Sequence, residues 1–153
     1  QERATVFHAI AFMPEAELTR PEAIGAWSVK DVLGHLAAWE DVEIGWLEQF
    51  ARGERPTMDI TDCDAWNAQR VAERRPWTLA ETIANLIATR QRLLAVVGGM
   101  PDDIFERPGP SPMQAPFVPA ILNGIADHDR EHWAPMMAVK DAWIARQRQE
   151  TGG

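Results

Sequence analysis

The sequence predicts an all-α protein, an antiparallel four-helix bundle with an extra short helix in its middle crossover. Three observations carry this. Four segments place apolar residues at spacings of three and four. Two of those segments open on capping-box signals. Nowhere in the 153 residues is there a convincing period-2 strand pattern. One domain is expected over residues 1–153, since the chain is long enough for one sizeable core and short for two.

The first helix is expected over about residues 2–13, where Val6, Ile10 and Met13 share a face; Pro14 stops it. "PEAELTRPEAIGAW" then reads as a connector, with two prolines and a glycine. Ser28 is a good N-cap for the second helix, with Asp31 three residues on in a variant of the capping box. Val32, His35, Trp39, Val42 and Trp46 form its inward stripe, and it should end near Gly53. The stretch "GERPTMDITDCDAWNAQRVAERRPW" is the least regular. Asp59, Asp62 and Asp64 lack the glycine and distal glutamate of a calcium loop and read as solvated, with a short helix around Asp64–Glu73 anchored by Trp66.

Thr78 and Glu81 form a capping box for the third long helix, whose apolar face is Leu79, Ile83, Leu86, Leu93 and Val97 and which ends at Gly98. Residues 98–117 hold five prolines and no periodicity, the signature of a long surface loop. The fourth helix runs from about Val118 into the 140s on a stripe of Val118, Ile121, Ile125, His128, His132 and Val139. Pro135 removes a hydrogen bond to the Glu131 carbonyl, so a bend is expected just beyond the histidines.

Composition excludes several classes of function. A net charge of −8 without a basic stripe disfavours nucleic acid. No apolar run approaches the roughly 18 residues of a membrane span. The N-terminal "QERATVFHAIAF" has no basic region before a long apolar stretch, so no retained signal peptide is expected. The single cysteine, Cys63, cannot staple the fold and fits a reducing cytoplasm.

Three of the four histidines, His35, His128 and His132, fall on inward stripes of two long helices, while His8 sits beside the first stripe without a partner. Residues at i and i+4 share a helical face about 6 Å apart, close enough for two imidazoles to reach one cation. Satisfied core histidines are the alternative. Burying three imidazoles requires partners for six ring nitrogens, which tilts the reading toward a metal. "HDREH" also matches the inverted zinc-protease pattern, but Glu131 points about 100° away from His132 and the only later glutamate is Glu150. That reading is set aside.

The blocks "GAWSVKDVLGHLAAWE", "AWNAQRVAERRPWTLAE" and "DHDREHW" resemble, in that order, the DinB/YfiT-like superfamily, and within it the ClbS/DfsB group. The resemblance spans about residues 14–143. It implies a four-helix bundle whose first and third helices flank a site built by the second and fourth. It also implies a divalent metal on His35, His128 and His132, with positions open to water or substrate. Trp27 and Asp31 match the first block in packing and helix-start roles. Asn67 matches a recurrent asparagine that either faces the pocket or is a surface amide. Members include thiol-dependent transferases, a mycothiol-dependent isomerase and self-resistance hydrolases that disarm reactive metabolites.

The expected function is therefore a divalent-metal-dependent enzyme acting on a small electrophile, by hydrolysis or thiol transfer. Zinc is the default cation, with nickel, manganese or iron as alternatives, and a low-molecular-weight thiol is a candidate cosubstrate. Trp39 and Asn67 are candidate substrate contacts. Glu40, Glu43 and Glu131 are the nearest acidic groups, none with decisive spacing. Non-catalytic sequestration of a small molecule and a dimeric scaffold are the competing readings, and a homodimer is compatible with all three.

Overall fold

The computed structural model describes residues 2–151, excepting the side chain of Glu2. Among them it is all-helical: α1 (Glu2–Ile10), α2 (Glu15–Leu18), α3 (Val29–Ala51), α4 (Cys63–Arg74), α5 (Leu79–Gly98) and α6 (Phe117–Thr151), with a 3-10 turn at Asp102–Glu106. No helix is long and apolar enough to cross a membrane.

Both capping boxes form. Ser28 Oγ accepts from the Asp31 N–H at 3.0 Å while Asp31 Oδ2 accepts from the Ser28 N–H at 2.9 Å. Thr78 and Glu81 reciprocate in the same way at the head of α5. These caps satisfy amide donors that the first helical turn leaves open, which is why both starts were legible. The ends differ more. α1 closes at Ile10, three residues early, because the chain turns through Phe12 at φ 67°. The proline-rich connector after it contains the one-turn α2. α6 runs unbroken through Pro135 to Thr151, farther than expected. Its C-terminal half is tied to the first segment of the chain by Lys140 donating to the His8 carbonyl (2.8 Å) and by Arg146 on Glu17 (2.7 Å).

Cross-helix partners define the directions. From Gly34 beside Thr82, through Glu40 on Thr89, to Glu48 on Arg92, numbers rise together on α3 and α5, so these two neighbours run in the same sense. The contacts Arg3–Asp129 and His8–Lys140 show the same for α1 and α6. The crossover through α4 is what permits α3 and α5 to be parallel, since a tight turn cannot.

The core has two apolar halves. One gathers Val6, Val32, Leu33, Leu36, Leu86 and Met136; the other gathers Ile44, Leu47, Leu93, Phe117, Ile121 and Ile125. α3 passes from the first to the second and α6 from the second to the first, so they run in opposite senses. On α3 Val32 and His35 of the expected stripe are buried, and beyond them the large buried side chains are Leu36, Glu40, Ile44 and Leu47. From Trp39 onward the core stripe thus lies about one residue, or 100°, around from the expected one. Trp39, Val42 and Trp46 are only half-buried.

Between the halves lies a polar layer. Arg3 of α1 reaches Asp129 of α6 (3.0 Å) and Glu40 of α3 (3.4 Å). Arg90 of α5 reaches the same two carboxylates at 3.0 and 2.7 Å, and Thr89 donates to Glu40 at 2.8 Å. Glu40 and Asp129 are each 1% exposed, so two buried anions are held by the buried Arg3 and the partly exposed Arg90, joining four helices.

Candidate metal centre

Beside this layer a cleft of about 400 Å³ opens, lined by Trp27, His35, Trp39, Glu43, Asn67, His128, Glu131 and His132. Its walls come from α3, α4, α6 and the turn before α3, while α1 and α5 hold the two histidine-bearing helices from beside them through Arg3 and Arg90 on Glu40 and Asp129. Trp27 is delivered by a turn in which the Ile24 and Trp27 backbones exchange hydrogen bonds (2.8 and 3.0 Å) around Gly25, whose φ of +60° suits glycine. Its ring lies 4.9 Å from that of His35.

The three histidines converge. His35 pairs with each of the α6 histidines at ring-centroid separations of 4.8 and 4.9 Å, and His128 and His132 are 4.9 Å apart. One ligand nitrogen from each ring lies within 4.8 Å of those of the other two. Nε2 of His35 and Nε2 of His128 are 2.9 Å apart. Two ligands at about 2.0–2.1 Å from one zinc ion stand roughly 3.0–3.4 Å apart, so these nitrogens are already near that separation.

Burial, and secondarily the neighbouring imidazoles, pushes the His35 pKa down to about 3. Burial and His132 push His128 down to about 4, and burial also lowers His132. All three are therefore neutral near pH 7 with a lone pair available. His35 Nδ1 is buried without a hydrogen-bond partner among the described residues. An uncompensated polar atom of this kind costs about 1–3 kcal/mol, and coordination through the other ring nitrogen offsets it. The donor set fits a divalent cation such as zinc.

These shifts carry a pH prediction for the metal-free protein. The unfolded chain takes up protons at His35 and His128 around the ordinary 6.5, whereas the folded chain does so only near 3 and 4. The folded state binds fewer protons in that window, so stability falls as pH drops from about 6.5 toward 3. Urea unfolding between pH 7 and pH 4 should show wild type losing more stability than His35→Ala; parallel curves would contradict the assignment.

The two candidate substrate contacts touch each other. Trp39 Nε1 donates to Asn67 Oδ1 at 2.7 Å. An indole N–H only donates, so the Asn67 carbonyl must accept and its NH2 group remains to donate. Trp39 also packs on Trp66, with ring centroids 4.5 Å apart. Asn67 reaches the cleft from α4, whose N-terminus Asp62 caps by accepting from the Ala65 N–H at 2.9 Å.

The three acidic candidates separate. Glu40 is locked in the polar layer, Glu131 is exposed on the rim, and Glu43 is half-buried in the wall. His8 is exposed and Cys63 is an exposed free thiol, both away from the cluster.

The fold and the site define a helical protein with a candidate three-histidine metal centre at the floor of an aromatic cleft. A family model of the DinB superfamily matches residues 1–150. The chain belongs to that superfamily. No curated protein matches it, and no solved structure does.

Proposed function

We propose that this protein is a divalent-metal-dependent enzyme that acts on a small electrophile by hydrolysis or thiol transfer, activities in keeping with the superfamily to which the chain belongs. The arrangement supporting it is a four-helix bundle of α1, α3, α5 and α6 with α4 in the crossover, in which the parallel pair α3 and α5 runs opposite to the parallel pair α1 and α6. One observation carries the reading: three neutral imidazoles from two helices converge on one point at the floor of a cleft.

His35, His128 and His132 would hold the cation. A divalent ion on three neutral imidazoles supplies Lewis acidity and activation of water or a thiol near neutral pH. Trp27 and Trp39 present flat apolar surface that exclude water from a bound molecule. The Asn67 NH2 group donates to an oxygen of that molecule and so orients it, while Trp39 holds the amide in place.

Elemental analysis of protein purified at neutral pH without chelator tests this reading. About one divalent ion per chain is the expected result; metal-free protein that takes up none overturns it. Incubation with a thiol and model electrophiles then divides the reactions, because thiol transfer consumes thiol in step with electrophile and hydrolysis leaves it. The aromatic walls favour one competing reading, sequestration without turnover, for which saturable electrophile binding with no product is the signature.

A further inference from the structure

We propose that Glu43 is the proton donor and acceptor of the cleft, giving its carboxyl proton to the atom that leaves when the bound electrophile is attacked. This deepens the enzyme reading above and rests on it. Glu43 follows His35 and Trp39 along α3 at successive four-residue steps, so the three share one face of the helix. Helical side chains lean toward the N-terminus, which on α3 is toward the histidines. Its carboxyl makes no hydrogen bond or ion pair with any described residue, although it is half-buried in the cleft wall. The neighbouring acids are otherwise engaged or placed: Glu40 and Asp129 grip Arg3 and Arg90, and Glu131 faces solvent.

The surroundings favour the acid form. Burial, then repulsion from Glu40 on its own helix and Asp129 on α6, outweighs attraction by Arg90 of α5 and Arg3 of α1, and raises the Glu43 pKa to about 8. α4 brings the neutral Asn67 to the same cleft, and α6 adds neutral His128 and His132 with Glu131 at the rim. At pH 7 the group therefore carries a proton to give. In the step, water or a thiol forms a bond to the electrophilic carbon, and the bond from that carbon to the leaving atom breaks. The leaving atom takes the electron pair and the Glu43 proton. The nucleophile's own proton returns to the Glu43 carboxylate, directly or through solvent. Nothing is oxidised or reduced.

Glu43→Gln keeps the shape of the side chain and removes the titration. With carboxyl-labelled glutamate, NMR of metal-free wild type should show one carboxyl titrating near pH 8, absent from Glu43→Gln; an ordinary carboxylate midpoint for Glu43 overturns the proposal. With zinc-loaded protein, 2-mercaptoethanol and styrene oxide, kcat should fall about 10²–10⁴-fold in the variant with KM little changed. An unchanged kcat overturns the proposal. The two readings fail separately. Full metal content with an ordinary Glu43 midpoint sinks this inference alone, whereas no metal uptake with a midpoint near 8 sinks the metal-enzyme reading.

Discussion

Arg3→Ala is expected to destabilise the protein by about 3–5 kcal/mol, the usual cost of removing one partner from a buried ion pair. Arg3 is 6% exposed and holds both Asp129 (3.1 Å through Nε) and Glu40 (3.4 Å). Its removal leaves two carboxylates, each 1% exposed, with Arg90 as their sole cationic partner among the described residues. Burial lowers the Arg3 pKa and raises that of Glu40, so both charges are held against a desolvation penalty that their pairing, with Asp129, Arg90 and Thr89, offsets. A chain of this size shifts in Tm by about 2–4 °C per kcal/mol, which puts the expected drop at roughly 6–20 °C. That is a large fraction of a total stability of about 5–15 kcal/mol. Thermal melts with a double-mutant cycle between Arg3→Ala and Glu40→Ala measure the coupling. A loss below about 1 kcal/mol would show that the layer is hydrated and not a buried network. Arg92→Ala, at a half-exposed pair with Glu48, is the control and should leave Tm close to wild type.

The second large effect concerns the cation. Zinc at about a thousand times its dissociation constant should stabilise wild type by about 4 kcal/mol through mass action, and chelation should reverse it. His35→Ala and His128→Ala should each abolish that increment. The loss of affinity should exceed the about 10–100-fold that follows when only a ligand's hydrogen-bonding partner is removed. The metal-free His35 variant should nevertheless fold, because the lost packing against Trp27 is set against relief of an unpartnered buried nitrogen. Differential melting with and without zinc reads both halves in one experiment. A zinc increment that survives in His35→Ala would place the cation elsewhere.

Much of the site was legible because helical geometry is local. His128 and His132 are one turn apart on any helix, and His35 lies on a helix whose start Ser28 and Asp31 announce. What the spacing did not disclose was how the core face of α3 continues past His35. Trp39 and Trp46 look like core residues by composition, yet a glutamate, Glu40, is among the most buried residues of that helix. The charge that makes Glu40 tolerable there comes from Arg3, 37 residues away, and Arg90. Pattern reading scores a buried carboxylate as exposed, since nothing nearby in the chain neutralises it. Asn67 was placed through the resemblance; its hydrogen bond with Trp39 depends on how α4 folds back over α3.

By itself, then, the sequence determined the helical class, the two capped helix starts, and the two elements that carry the histidines, because caps and 3.6-residue periodicity act over a few residues. Only the tertiary structure decided the parallel pairing of α3 with α5, the ionic layer that divides the core, and the separate fates of Glu40 and Glu43 three residues apart. Burial and Coulomb interactions depend on distance through space, and the partners that set them lie on four different helices.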